Sequence, residues 1–375
     1  MKKKRVMLLG NHAFVIYNFR KELIQQLLKD GYEVYLSMPY DDEKVPLMES
    51  WGCKYIETNV DRRGTNIFND IRLVIKYIKL INKVKPDVVL TYTVKPNIYG
   101  GIACNLLGIP YINNITGLGS GFKSESKLKS ILAYLYKKSL KNSRHVFFQN
   151  NSDLSLFKKL KIVNKSSNFS LIPGSGVNIL EYSFQKLPEF HKLKFLFVGR
   201  IMEDKGINEY LNAAENIKKK YKEQVEFDLV GFIEPSEQHL ENKINNLHHK
   251  NIINYKGYQK EVKPFIEEVH CLIQPSHGGE GISNVLLEAG AMGRILLASN
   301  IPGCKETIEN DENGFLFEPK NIDSLVTAIE KVIKASNEEK NQYGIKSNKK
   351  ITTNFNRNIV VQEYMLKINS INGEF

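Results

Sequence analysis

The stretch Phe195-Leu196-Phe197-Val198-Gly199-Arg200, in the second half of the chain, repeats what Val6-Met7-Leu8-Leu9-Gly10 does at its start. Each reads as a short buried strand that ends at a glycine. A helical pattern follows in both cases, over Phe19–Asp30 in the first and Asn208–Lys220 in the second. Outward from the first copy, strand signals at Glu33–Ser37, Val88–Thr91, Tyr111–Asn114, His145–Gln149 and Phe169–Ile172 surround helical stretches such as Ile71–Val84 and Tyr99–Leu107. Outward from the second come strands at Glu226–Val230, Ile252–Tyr255, Cys271–Gln274 and Ile295–Ala298, with a helix near Gln238–Leu247. Alternation of this kind predicts an α/β chain with a parallel, doubly wound sheet, built twice. The expected domains are 1–185 and 190–354, linked through Phe184–His191 and facing each other across a cleft. A last helical pattern at Ile359–Ile368 fits either domain, and a helix over about 355–375 could return to the first.

Bulk properties agree with two domains. A chain of 375 residues exceeds the usual size of one core. Its hydrophobic content of 42% and charged content of 25% exclude a disordered chain. The net charge of +12 is unevenly placed: residues 1–190 hold 29 Lys and Arg against 15 Asp and Glu, and the remainder 24 against 26. A uniformly basic chain would suggest nucleic acid. A basic half beside a neutral half suggests a domain that faces an anionic membrane or an anionic substrate. Cys53, Cys104, Cys271 and Cys304 form no C-x-x-C pair, so reduced cytosolic thiols are expected. The basic cluster Lys2-Lys3-Lys4-Arg5 precedes an apolar run too short for a signal peptide, and no segment has the length of a membrane span. A soluble or peripherally attached protein follows as the expectation.

Two constellations carry the chemistry. In His277-Gly278-Gly279-Glu280-Gly281-Ile282-Ser283-Asn284-Val285-Leu286-Leu287-Glu288 a loop runs into a helix start, with a carboxylate on each side. Gly281 permits a close approach of backbone to ligand, and Ser283 or Asn284 can cap the helix. Glu288 is placed in the first turn, beside N–H groups free to bind an anion. A ligand with phosphate at one end and hydroxyls at the other suits this layout, and a nucleotide-sugar has that form. The second constellation, Gly199-Arg200-Ile201-Met202-Glu203-Asp204-Lys205-Gly206, puts two cations at a strand end, a planar fork and a point charge suited to a diphosphate. Either motif alone reads more readily as a solvated loop. Their shared position at the same end of one sheet favours a site.

With Pro275-Ser276 ahead of the Glu-x7-Glu segment and Gly-Arg-x4-Lys-Gly upstream, the chain resembles the retaining glycosyltransferases of family 4, which have the GT-B fold of two Rossmann-like domains. The resemblance covers nearly the whole chain and is strongest over 195–320. It implies that Arg200 and Lys205 hold the donor diphosphate and that Glu280 accepts from hydroxyls of the donor sugar. The N–H groups of Gly281, Ile282 and Ser283 would line sugar and phosphates, with Gly10, Gly199 and Asn284 also on the donor, and Glu288 would accept from the ribose. The base would stack near Tyr255–Tyr258. The resemblance implies no metal and no cofactor besides the UDP-sugar substrate, and Asp41-Asp42 and Asp311-Glu312 read as solvated turn acids.

The first half resembles a narrower group that acts on lipid-linked sugars in assembly of capsule, O-antigen and related glycans. The residues that carry this are Ile16-Tyr17-Asn18-Phe19-Arg20, Tyr92-Thr93-Val94-Lys95-Pro96-Asn97-Ile98-Tyr99-Gly100 and Asn114-Ile115-Thr116-Gly117-Leu118-Gly119. It implies an acceptor site drawing on His12, Tyr17, Arg20, Asn97 and Thr116. The chain departs from the pattern where many members carry a histidine, reading Thr93-Val94-Lys95, so Lys95 or Thr93 would take that place. It also departs in Gly10-Asn11-His12, where the family has two glycines. Residues Phe122–His145 carry Leu128, Ile131, Leu132, Leu135 and Leu140 at helical spacing among Lys127, Lys129, Lys137, Lys138 and Lys141. The apolar stripe is expected in the core and the lysines against an anionic membrane surface, where Phe14, Tyr17 and Phe122 would add apolar contact or else pack in the core. Three rival functions stand beside a transferase: a nucleotide-sugar epimerase of the same fold, a non-catalytic sugar-nucleotide-binding subunit, and a nucleic-acid binder, which lacks a reading motif.

Overall fold

The computed structural model describes residues 3–61, 66–118, 122, 127–164 and 167–373. The chain divides into two compact units, Met1–Gly176 with Arg357–Phe375, and Val177–Asn356.

In the first unit the strands are β1 (Arg5–Leu9), β2 (Glu33–Met38), β3 (Lys54–Glu57), β4 (Val88–Tyr92), β5 (Tyr111–Ile115), β6 (His145–Phe148) and β7 (Phe169–Leu171). They form one parallel sheet in the order β3-β2-β1-β4-β5-β6-β7. The helices are α1 (Ala13–Lys29), α2 (Lys44–Ser50), α3 (Ile67–Val84), α4 (Gly101–Leu107), α5 (Lys127–Ser139), α6 (Asn151–Lys159) and, at the far end of the chain, α13 (Arg357–Asn372). The α13 helix returns to pack on α1, through Tyr364 in the core and an ion pair of Arg357 with Glu22 at 2.9 Å. Helices α3, α4 and α5 lie side by side on one face of the sheet.

The second unit holds β8 (Leu193–Val198), β9 (Val225–Val230), β10 (Asn254–Tyr255), β11 (Cys271–Gln274), β12 (Ile295–Ser299) and β13 (Gly314–Phe317), again parallel, in the order β10-β9-β8-β11-β12-β13. Its helices are α7 (Ile207–Tyr221), α8 (Glu241–His249), α9 (Lys263–Glu267), α10 (Asn284–Ala291), α11 (Ile322–Lys334) and α12 (Asn337–Asn354). In β8, Phe195 and Phe197 point to one apolar cluster while Leu196 points to another, because successive side chains alternate between two helix-covered faces.

Each sheet reverses its order once, between β1 and β4 and between β8 and β11. Ligands of such sheets bind beyond the carboxyl ends of the strands at that reversal. Gly10 follows β1, Thr93–Pro96 follow β4, Gly199 and Arg200 follow β8, and Pro275–Glu280 follow β11. The motifs therefore sit on the four strands that flank the two switch points.

Some boundaries differ from the sequence reading. The units divide at Gly176, ahead of the expected 185, because residues 177–188 already belong to the second unit. Val177 donates its N–H to Phe355, and Gln185 donates to Met292. Helix α1 begins six positions ahead of Phe19, and strands β3 and β13 and helices α2, α6, α9, α11 and α12 were not anticipated. All four cysteines are buried and unpaired. Among the described residues, no helix is long and apolar enough to cross a membrane.

Candidate active site

The centre of the site in the second unit is the contact of two strand-end segments. After β8 the chain forms a tight helical turn, Glu203–Lys205, and Gly206 then adopts φ 74° before α7. A Cβ on Gly206 would lie 1.9 Å from the carbonyl oxygen of Pro275, so only glycine lets the α7 start touch the loop after β11. His277 donates its N–H to the carbonyl of Asp204 at 2.9 Å, which joins the segments again.

This juxtaposition brings Lys205 against Glu280 in an ion pair. The Ser276 hydroxyl donates to the same carboxylate at 3.1 Å and itself accepts from Gln274 at 2.7 Å. Burial by itself raises the pKa of Glu280, but the Lys205 charge, hydrogen bonds from Lys205 and Ser276, and the Arg200 charge outweigh it. The carboxyl is held below its ordinary value of 4.5. It is therefore a carboxylate at neutral pH, a strong acceptor for hydroxyls. Arg200 is bound at 2.8 Å by the buried Glu234, which follows β9.

The start of α10 differs from expectation in three respects. Ser283 occupies the capping position, but no side chain caps the helix, which leaves the N–H groups of its first turn without a side-chain acceptor. The N–H of Ser283, expected on the donor, is taken by the Gly303 carbonyl at 2.8 Å, because the backbones of Gly281 and Gly303 approach so closely that a Cβ on Gly303 would meet the Gly281 oxygen at 2.4 Å. Glu288 lies in the second turn, since α10 begins at Asn284, one residue beyond the cap. Asn284 keeps a buried side-chain oxygen without a hydrogen-bond partner. Of the aromatic pair expected near the base, Tyr255 donates to the Gly231 carbonyl, whereas Tyr258 is exposed beside Phe232.

In the first unit the residues expected at an acceptor separate into two groups. Asn97 is buried in a knot with Thr91, Asn113 and the Asn114 carbonyl, so it holds the β4 turn and is closed to a ligand. Tyr17 stacks on Trp51 at 5.2 Å, and Arg20 is buried against the Tyr92 ring at 4.6 Å. His12 caps α1 by accepting the Phe14 N–H on Nδ1. These four positions build the fold of the unit. Gly10 lets β1 pass Ile16, where a Cβ would come within 2.9 Å. Thr116 follows β5 and is half-buried, and Gly119 lies outside the described residues.

Thr93 and Lys95 stand where the turn after β4 opens. Thr93 is held at φ 69°, a conformation that is strained for a β-branched residue. Lys95 pairs with Asp70 of α3 at 2.7 Å, and Tyr99 donates to the other oxygen of that carboxylate at 2.7 Å. The pair borders a cavity of about 320 Å³ that Asn59, Arg72 and Lys76 also line. Sequence reading missed Asp70, Glu234 and the pair of His277 with Glu209, since each comes from a different element and only folding joins them. It also missed the trio Glu203, Glu237 and His239, of which Glu237 is half-buried and the others exposed, and whose ligand atoms lie within 4.8 Å of one another.

The α5 stripe is split. Leu132, Leu135 and Leu140 pack inward, but Leu128 and Ile131 are exposed, because Leu128 starts the helix and Ile131 lies on the flank of the stripe. Residues 123–126 of the same segment lie outside the described residues, as does the side chain of Lys127. Phe122 joins the core, and Phe14 is exposed.

Comparison with known proteins bears on the family and the fold. Residues 178–350 match the family described as glycosyl transferases group 1, and residues 5–150 match glycosyl transferase 4-like. A Campylobacter jejuni protein, N,N'-diacetylbacillosaminyl-diphospho-undecaprenol alpha-1,3-N-acetylgalactosaminyltransferase, is 25% identical over 96% of this chain and 97% of its own. An Escherichia coli UDP-Gal:alpha-D-GlcNAc-diphosphoundecaprenol alpha-1,3-galactosyltransferase is also 25% identical, over 72% of each chain. Sucrose-phosphate synthase from Thermosynechococcus elongatus superposes with a TM-score of 0.83 at 17% identity, covering all of both chains. Two parallel Rossmann-like sheets with these matches are the GT-B fold, and the chain belongs to the glycosyltransferases that join a 4-like domain to a group 1 domain.

Proposed function

We propose that the chain transfers a sugar from a UDP-sugar to a saccharide linked to a polyprenyl diphosphate, in surface-polysaccharide synthesis and with retention at the anomeric carbon. The meeting of Lys205 with Glu280, with Arg200 at the same strand end, carries this reading. Lys205 and Arg200 neutralise charge as it grows on the departing diphosphate, so no metal is required for that step. Glu280 orients the sugar through its hydroxyls, and the leaving phosphate takes the acceptor proton. In the first unit, Arg72 and Lys76 beside Lys95 offer cations for the acceptor diphosphate. The named activities of the Campylobacter and E. coli relatives support a lipid-diphosphate acceptor and an N-acetylhexosamine or hexose donor.

The test is UDP release from UDP-N-acetylglucosamine, UDP-N-acetylgalactosamine, UDP-glucose and UDP-galactose, with and without a polyprenyl-diphosphate-linked sugar. Release that needs acceptor with one donor is expected. Conversion of donor without acceptor would make the protein an epimerase, and binding without turnover a sugar-nucleotide-binding subunit.

The acceptor reading places the first unit at an anionic membrane. Along α3, Ile67, Phe68, Ile71 and Ile75 are 66%, 71%, 51% and 47% exposed. Arg72, Lys76, Lys79 and Lys83 share that helix, and neighbouring α4 and α5 expose Leu106, Leu128, Ile131 and Tyr134. Apolar side chains can enter the interface while each cation adds roughly 1 kcal/mol near anionic lipid. Replacing Phe68 and Ile71 together by Glu is expected to lower partition onto phosphatidylglycerol vesicles at least about tenfold, since burying each side chain is worth about 1.5–3 kcal/mol. Transfer to a short-chain soluble acceptor should persist. Equal sedimentation of variant and wild type with vesicles would discard α3 as the contact.

A further inference from the structure

Two side-chain contacts join the loop after β11 to the start of α7, and only one of them is made by residues assigned to the donor. Besides the ion pair of Lys205 with Glu280, His277 Nε2 lies 3.1 Å from Glu209 Oε2; both side chains are largely buried and neither atom has a hydrogen-bond partner, so the two groups meet in a close contact. Glu209 stands in the first turn of α7, and His277 is three residues ahead of Glu280. Gly278 and Gly279 between them adopt φ 123° and 80°, so the backbone that carries Glu280 is built from two residues of the least restrained type.

The two pairs cannot persist alike once a donor binds. On the proposed function, on which this inference rests, Lys205 turns to the diphosphate and Glu280 to the sugar hydroxyls. Each then exchanges its present partner for the ligand. Their mutual attraction is what now holds the glycine-rich segment closed, and its weakening would let Glu280 wander when position matters most. A misplacement near 1 Å costs about a hundredfold in a positioned site. His277 and Glu209 bind no part of the donor in that assignment, so their contact survives the exchange.

We propose that the His277–Glu209 pair is a positioning clamp, which fixes the loop on α7 while the donor separates Lys205 from Glu280. His277 is anchored at both ends for this role, by its side chain to Glu209 and by its backbone N–H to Asp204.

The experiment measures Kd for UDP and for UDP-N-acetylgalactosamine, and KM and kcat with the donor that the release panel selects. The proteins are wild type, His277→Gln, Glu209→Gln and the double variant. If the pair acts as one unit, each single substitution raises donor KM about tenfold and leaves acceptor KM unchanged. The double variant then matches the singles instead of multiplying them, which is the mark of a coupled pair. A thermal scan of each variant separates this from unfolding, because a clamp shifts donor KM in proteins whose midpoints match wild type. Wild-type donor affinity in all variants overturns the clamp and leaves the transferase reading intact. So does a double variant whose effect is the product of the singles. A wild type that binds neither UDP nor any UDP-sugar of the panel overturns the reading of the site, and the clamp with it.

Discussion

Glu280→Gln is expected to lower sugar transfer by about a hundred- to a thousandfold while leaving the fold intact, the range for removing one preorganised electrostatic contact from a reacting centre. The substitution keeps the shape of the side chain and removes its charge. Ser276 and Lys205 then face a neutral amide, and the donor hydroxyls meet one acceptor oxygen in place of two. Lys205→Ala should fall in the same range by a different route, through lost neutralisation of the leaving diphosphate. Kinetics separate them. Loss of an interaction made in the transition state lowers kcat and kcat/KM together, whereas loss of ground-state binding raises KM alone. The pH dependence has a fixed sign as well. The folded-state value of Glu280 is depressed below 4.5, so its contribution to stability is present above that pH and is lost as pH falls through the lower folded value. An acid limb of the rate profile above pH 4.5 must therefore come from another group. A Glu280→Gln protein with wild-type kcat would remove this carboxylate from the mechanism.

The parts of the fold that could be read in the sequence are those whose burial leaves a continuous apolar signal. Strands β1, β4, β8 and β11 are covered on both faces and show as runs such as Val6–Leu9 and Phe195–Val198. Strand β3, Lys54-Tyr55-Ile56-Glu57, lies at a sheet edge with charged residues at both ends, and carries no such run. The start of α1 was misplaced because its cap is His12, outside the Ser, Thr, Asp and Asn set that marks helix starts. The site divides in the same way. Lys205, Glu280 and Arg200 were legible because glycines and strand ends surround them at fixed spacing. The partner of Arg200 and the clamp of His277 depend on β9 and α7 lying beside β8 and β11, which no local pattern encodes. Ser283 shows the limit from the other side. Its type and place fit a cap, yet the close approach of Gly281 to Gly303 turns its N–H away from the ligand.

The second large effect is on stability, and it centres on a residue that the sequence gives no reason to notice. Arg294 is fully buried, and its guanidinium donates to the carbonyls of Met292, Glu267, Val269, Gln185 and Lys186. Glu267 and Met292 stand at the ends of α9 and α10, where helix carbonyls lack partners and carry the negative end of the dipole. Gln185 and Lys186 belong to the strap that enters the second unit. One planar, multi-donor cation thus replaces water for five carbonyls from three segments. Burial pulls its ionisation down to about 10, which still leaves it charged at neutral pH. Arg294→Met fills much of the space and removes the guanidinium from all five carbonyls, of which Met292 keeps the Gln185 N–H, at a cost of about 3–5 kcal/mol. Arg294→Lys keeps the charge but loses the fork, and should fall between Met and wild type. Urea unfolding measures both, as a lower midpoint with an unchanged slope. A Met variant within about 1 kcal/mol of wild type would mean that water reaches these carbonyls once the guanidinium is gone. A Lys variant as stable as wild type would assign the effect to charge alone. The predicted order, wild type above Lys above Met, requires the fork itself, because only a planar group with several donors can reach the ends of α9 and α10 and the strap at once.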